Sequence, residues 1–195
     1  MPSKFAVTGG IGSGKSAVCL ILKERGYPVF SCDEINRALL NERSYLEGLC
    51  CLFPACVKDG KLDKAALADL VFSDKKALKT LNAYAHPRIA ERLRREMDDT
   101  EKTCFAEVPL LFESGMTELF DGIIVVLRNK EERIRAVVTR DGLTPERAEA
   151  RMKQQFDYDG ALPDGCLAIE NDGDEAALRK KVDDVLEALK EQGLV

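Results

Sequence analysis

Two rhythms of apolar residues alternate along the chain. Short unbroken apolar runs at residues 4–8, 27–31, 104–108 and 122–127, with a weaker one at 167–170, predict buried β-strands. Between and after them, apolar residues return every three or four positions over 16–25, 34–43, 131–140, 146–155 and 174–191, the spacing of helices with one buried face. The last of these carries Ala177, Leu178, Val182, Val185, Leu186 and Leu189 on one stripe. Gly26 follows the first helix as a C′ stop, and Thr144 with Pro145 opens the helix at 146. Short strands separated by helices predict an α/β fold with a parallel sheet covered on both faces.

One interval breaks the rhythm. Roughly 70 residues without a convincing strand separate the second and third strands, far more than one crossover helix requires. Within it "KDGKLD" marks a turn, Asp63 and Ser73 are the expected N-caps, and residues 88–99 form a charged helix after His86-Pro87. A helical subdomain is expected there.

The loop after the first strand supplies the first chemistry. "TGGIGSGKSA" runs from Thr8 to Ala17 and contains Gly9-x-x-x-x-Gly14-Lys15-Ser16, the P-loop pattern, between a strand and a helix. Glycines let successive N–H groups turn inward around an anion, and the helix N-terminus adds its positive end. Gly12, Ser13, Gly14, Lys15, Ser16 and Ala17 are therefore the expected phosphate-binding residues, with Lys15 on the β and γ phosphates and Ser16 on Mg²⁺. The fold expected is thus P-loop kinase-like. A dinucleotide fingerprint fails because Gly10-x-Gly12 would need a third glycine where Lys15 stands. A regulatory GTPase fits poorly: Asn129-Lys130-Glu131-Glu132 misses the guanine-reading motif at its last residue and reads as a helix start. The only D-x-x-G, Asp157 to Gly160, comes after that motif rather than before it.

Charge and cysteines narrow the classes further. A formal charge of −5 argues against a general nucleic-acid partner. Seven cysteines without a C-x-x-C pair, beside one histidine, read as free thiols rather than as a zinc site. The longest apolar run, 123–127, is far short of a bilayer span, and the first residues carry no secretory-signal pattern, so a cytoplasmic protein without a membrane partner is expected. The sequence leaves the oligomeric state open.

Where the phosphate goes rests on two further features. Asp33 lies just after the second strand, so parallel topology should carry it to the carboxyl edge of the sheet beside the P-loop. There it could take a proton from an attacking hydroxyl or orient a magnesium water; equally, it could simply cap a helix starting at Glu34. Arg133, Arg140, Arg147 and Arg151 line two helices around "DGLTPE", a hairpin able to close over phosphates and exclude water. Any one of them reads equally as a solvated helix arginine, and Arg140, at the turn, is best placed to meet a transferring phosphoryl group. Glu107 and Glu113 could serve magnesium or pair with Lys15 or an arginine. Phe112 and its apolar neighbours could be ordinary core.

With these pieces in order, the chain resembles the dephospho-CoA kinase family over nearly its whole length. The resemblance is carried by "TGGIGSGKS", the aspartate of "SCDEINRAL", "DGKLDKAALADLVFSD", "LNAYAHPRI", "EVPLLFE", "RDGLTPERAEARMKQQ" and "IENDGDEAAL". It implies ATP-dependent phosphorylation of the ribose 3′-hydroxyl of dephospho-CoA, the last step of coenzyme A synthesis. It also implies a CoA-binding helical subdomain, a lid around Arg140 and adenine contacts near Asn171. His86, Leu110, Glu113 and Asp33 fall on the substrate side, with Asp33, Lys15 and Arg140 as the catalytic set. The organisation implied is a single domain over residues 1–195: a nucleotide-binding core near 1–33, 103–130 and 160–195, a substrate subdomain near 34–102 and a lid near 131–159. Two positions depart from the usual pattern. Ser31 replaces the first acid of an Asp-x-Asp pair, leaving Asp33 as its only acid, and Lys64 replaces a frequent arginine. The rival readings are another small-molecule P-loop kinase and a nucleotide-dependent binding module without turnover.

Overall fold

The computed structural model describes residues 2–195. In chain order it begins with β1 (Lys4–Thr8), α1 (Lys15–Glu24) and β2 (Val29–Ser31), then α2 (Cys32–Leu39) and α3 (Arg43–Leu52). A short hairpin of β3 (Val57–Lys58) and β4 (Lys61–Leu62) leads into α4 (Lys64–Ser73) and the long α5 (Lys75–Asp98). The remaining elements are β5 (Cys104–Glu107), α6 (Leu111–Ser114), β6 (Gly122–Leu127), α7 (Lys130–Asp141), α8 (Pro145–Met152), β7 (Cys166–Glu170) and α9 (Glu175–Glu191). They divide into two compact units, one of residues up to Ser31 with Arg95–Val195, the other of Cys32–Arg94.

The first unit is an α/β fold around a five-stranded parallel sheet of order β2-β5-β1-β6-β7. β1 is central because its residues bury completely: Ala6 and Val7 are inaccessible, and Phe5 stacks on Phe105 of β5 at 5.5 Å. Tyr27 meets Phe105 edge-on. The apolar stripes of α1 (Val18, Ile21, Leu22) and α9 (Leu178, Val182, Leu186, Leu189) join Phe5, Val7, Ile124, Val126 and Ile169 in one core. Each such large side chain contributes about 1.5–3 kcal/mol on burial. Asp174 caps α9 by accepting from the Ala177 N–H, and α1 ends at Arg25 before Gly26 turns left-handed at φ 87°. The central strand is therefore paired along both edges by β5 and β6 and covered by α1 and α9, and the glycine loop leaves from its carboxyl end.

The Cys32–Arg94 unit differs from the sequence expectation in four places. The interval is not free of strands: "VKDGKL" forms the β3–β4 hairpin, because Asp59 and Gly60 both take positive φ and make the tight turn that two-residue hairpins need. Ser73 is not an N-cap; its hydroxyl bonds back to the Asp69 and Leu70 carbonyls at the end of α4, and Asp74 instead accepts from the Lys76 and Ala77 N–H groups. Asp63 does cap α4, accepting from Ala65 and Ala66. Pro87 does not start a helix but lies inside α5, where Ala85, Ile89, Leu93 and Met97 form a buried stripe four residues apart that offsets the proline's cost. Lastly, α2 starts at Cys32 directly from the β2 strand, so Asp33 belongs to its first turn and is not the cap of a helix beginning at Glu34. Around Tyr84 the unit packs closely: its hydroxyl donates to the Tyr45 carbonyl, its ring lies 5.2 Å from that of Tyr45, and the Arg88 guanidinium lies over it at 3.7 Å.

Candidate active site

The glycine loop joins β1 to α1. Gly14 precedes the helix with φ 95°, a left-handed turn that a side chain would oppose. Space opposes it too, since a Cβ there would lie 2.2 Å from the Asn171 amide nitrogen. That nitrogen donates to the Ser13 carbonyl at 2.8 Å, so the turn after β7 braces the loop. Ser13 is fully buried, and its hydroxyl has no hydrogen-bond partner among the described residues. Lys15 is nearly buried, with its ammonium donating to the Gly9 and Gly10 carbonyls at 2.8 and 3.1 Å. Ser16 faces the other way and donates to the Glu107 carboxylate at 2.8 Å.

Glu107 owes that contact to register. It ends β5 opposite Val7 of β1, which brings a strand-end carboxylate to the first turn of α1. Ser16 is not among the partners that the sequence offers Glu107, which are magnesium, Lys15 or an arginine. One hydroxyl and one carboxylate at a P-loop fit the oxygen chemistry of magnesium, which keeps most of its shell for phosphates and waters. No group of three or more histidine, cysteine, aspartate or glutamate side chains that could hold a metal ion occurs among the described residues. Cys19 lies on the same helix, but burial first, and the Glu107 charge second, push its thiol well above the ordinary range, so it is inert.

The arginine hairpin has the caps expected of it. Asn129 accepts from the Glu131 N–H to open α7, Gly142 closes it at φ 64°, and Thr144 accepts from the Arg147 N–H to open α8. α8 stops at Met152, three residues short of the periodic expectation. Arg140 is 64% exposed and forks onto Asp141, whose second oxygen also accepts from Arg151 at 3.3 Å. Arg147 is exposed. Arg133 behaves differently, being 4% exposed and packed against the loop.

Several residues that the sequence reading passed over meet here. Gln155 accepts from the Ile11 N–H at 2.7 Å, and the Tyr158 hydroxyl meets that of Thr8 at 3.1 Å. Burial pushes the Tyr158 phenol up to about 12, so it stays protonated at neutral pH. Glu113 accepts from the Phe156 N–H at 2.7 Å, beside a Phe112, Phe156 and Tyr158 ring cluster, and Leu110 immediately precedes α6. The only hint in sequence was the aromatic pair in "FDYDG", which carries no helical or strand period. A cavity of about 380 Å³ opens beside Gly10, Asn129, Arg133, Tyr158, Glu170 and Asp172, the last two flanking Asn171 in sequence. Asp33 and His86 belong to the Cys32–Arg94 unit, on α2 and α5.

Comparison with known proteins gives one consistent answer. A family model for dephospho-CoA kinase matches residues 4–177. A Thermus thermophilus dephospho-CoA kinase is 38% identical over 190 residues, covering 96% of this chain and 92% of that relative. One from Fusobacterium nucleatum is 32% identical over 188 residues, covering 95% and 97%. Among solved structures, a Thermus thermophilus protein superposes with a TM-score of 0.83 at 38% identity, covering 96% of this chain and 98% of that one. A dephospho-CoA kinase from Campylobacter jejuni gives 0.73 at 30%, covering 99% and 100%.

Proposed function

The chain belongs to the dephospho-CoA kinase family, and from that premise we propose how its residues perform the reaction. The protein is a kinase of coenzyme A synthesis: it phosphorylates dephospho-CoA with ATP as donor. The acceptor oxygen is that of the ribose 3′-hydroxyl. This oxygen bonds to the γ-phosphorus, the bond from that phosphorus to the β–γ bridging oxygen breaks, and ADP leaves. The observation that supports this assignment of roles is the P-loop itself, with Lys15 and Ser16 at the carboxyl end of the central strand and Glu107 against Ser16.

Backbone N–H groups of Gly12 to Ala17 hold the phosphates, and Lys15 exchanges its two loop carbonyls for β and γ oxygens. Ser16 and Glu107 would hold Mg²⁺, which when bound neutralises charge on the β and γ phosphates. Asn171 places adenine beside the loop it already braces. Arg140, released from Asp141, stabilises the charge spreading over the phosphoryl oxygens as the lid closes. Asp33 takes the proton of the 3′-hydroxyl, the Cys32–Arg94 unit with His86 binds the CoA moiety, and Leu110 and Glu113 complete the substrate side. Residues 131–159 act as the lid. The protein works in the cytoplasm without a nucleic-acid or membrane partner, and its acidic charge supports the absence of a nucleic-acid partner; no helix among the described residues is long and apolar enough to cross a bilayer.

Asp33→Asn tests the reading with least disturbance. Asparagine keeps the shape, and loss of one charge in the first turn of α2 costs about 0.3–1 kcal/mol of helix stability. As the proton acceptor, Asp33 should be worth about 10²- to 10⁴-fold in kcat. ATP consumption is measured with dephospho-CoA and, in parallel, with nucleoside monophosphates. Full turnover in the mutant would remove Asp33 from the mechanism, and stimulation by nucleoside monophosphates instead of dephospho-CoA would overturn the acceptor.

A further inference from the structure

We propose that Arg133 is a positioning residue for the P-loop and that it acts through Asp159, tying the loop's first limb to the chain that returns from the lid. Arg133 stands in the first turn of α7, yet its guanidinium turns away from solvent and lies under the loop. A Cβ on Gly10 would come within 2.5 Å of its terminal nitrogen, and one on Gly12 within 2.6 Å of its carbonyl oxygen. These two glycines therefore have a reason beyond phosphate approach: they let Arg133 pack against the loop.

The energetics make this placement informative. A buried ion pair adds little net stability, and a buried N–H without a partner costs about 1–3 kcal/mol. Arg133 shows the second feature, its Nε being buried with no hydrogen-bond partner among the described residues, and its pair with Asp159, which is 57% exposed, is too solvated to offset that cost. A chain seeking stability alone would fill this site with an apolar residue. A fixed cation beneath a polyphosphate cradle has another use: it sets the loop's position and adds positive field in a region shielded from water.

The partner strengthens the case. Asp159 lies in the segment that leaves α8, and the same segment reaches the loop twice more, through Gln155 to the Ile11 N–H and through Tyr158 to Thr8. Residues 155–159 thus form a strap from the lid across the end of β1, and the Arg133–Asp159 pair is its charged fastening. Movement of the lid hairpin would load this strap and shift the Gly10–Gly12 limb with it.

The inference rests on the reading that this loop holds the ATP phosphates, so it is tested by Mg·ADP affinity, which needs no turnover, together with steady-state kinetics. Wild-type turnover with dephospho-CoA checks the reading itself. Arg133→Met keeps the long stem and removes charge and donors. It should weaken Mg·ADP binding and lower kcat/KM for ATP by about 10- to 100-fold, the scale of an ångström-sized misplacement. The KM for dephospho-CoA should stay within about twofold, a split that general destabilisation would not produce. Asp159→Asn should give about 3- to 10-fold in the same direction, and the double variant should lose no more than Arg133→Met alone, because the two act as one unit. A folded Arg133→Met with wild-type Mg·ADP affinity and kinetics, changed only in Tm, would overturn the proposal. So would losses that multiply in the double variant. Should Arg133→Met fail to fold, Asp159→Asn carries the test by itself, and unchanged Mg·ADP affinity there refutes the strap.

Discussion

The P-loop and the arginine hairpin are both assigned to phosphate in the proposed mechanism, but they are built in opposite ways. The loop is a buried backbone device: Thr8 and Ser13 are inaccessible and held by Tyr158 and Asn171, and Lys15, nearly inaccessible, bonds to the loop's own Gly9 and Gly10 carbonyls. The hairpin is a device of exposed side chains on two helices closed by their own caps, with Arg140 fastened only to the residue beside it. In that mechanism the cradle's backbone is preorganised, and Lys15 changes partners when the nucleotide binds. Groups that must arrive with the transition state are kept mobile and wet until closure. The two regions should therefore fail differently when mutated, the loop through binding and chemistry together and the hairpin through turnover.

The largest effect should come from Lys15→Ala, which removes the one ammonium inside the cradle. Loss of about 10³-fold or more in kcat/KM is expected, with ATP affinity reduced as well. Near-normal turnover would end the P-loop assignment and the comparison with it. Arg140→Ala comes next: about 10²- to 10³-fold in kcat, little change in KM for ATP, and an unaltered Tm because exposed ion pairs contribute little. An effect confined to KM would mean that Arg140 holds ground-state ATP and that the two regions do not differ in kind. Glu107→Gln is smaller still. It should raise the magnesium concentration for half-maximal rate by about 10-fold while saturating magnesium restores turnover, and an unchanged magnesium requirement would leave Glu107 as a structural partner of Ser16 only.

The same contrast governs what was legible in the sequence. The cradle was readable because its chemistry is written in residues fixed by backbone geometry, glycines and a lysine at set spacing after a strand. The sheet was readable because strands buried on both faces need continuous apolar runs, as in "GIIVVL". The return strap was not, since Gln155, Tyr158 and Asp159 act across some 26 to 150 residues of sequence and follow no period. Arg133 looked like its neighbours Arg140, Arg147 and Arg151; only tertiary packing separates a buried arginine from three lid arginines. Pro87 inside α5 misled for the same reason, because a local rule gave way to a buried stripe.

The smallest effect is the most discriminating test of what Asp141 does to the hairpin's arginines. Asp141 takes Arg140 by both carboxylate oxygens and Arg151 by one, so under the proposed role of Arg140 a transferring phosphate must win it from a bidentate partner. The Arg140 hydrogen bond holds the Asp141 carboxyl below its ordinary value. A lowered pKa means that the clamp is complete above the usual carboxylate range and is lost only as pH falls through the lowered value. It does not titrate between about pH 6 and 9, so it contributes no inflection to the neutral kcat profile. Asp141→Asn should then act the same at every neutral pH. Exposed pairs of this kind are weak, so kcat should rise by no more than about fivefold, with KM for ATP and Tm unchanged. A fall in kcat at constant KM would reverse the reading: Asp141 would be aiming Arg140 rather than competing for it, and the hairpin would share the preorganisation that the comparison reserves for the loop.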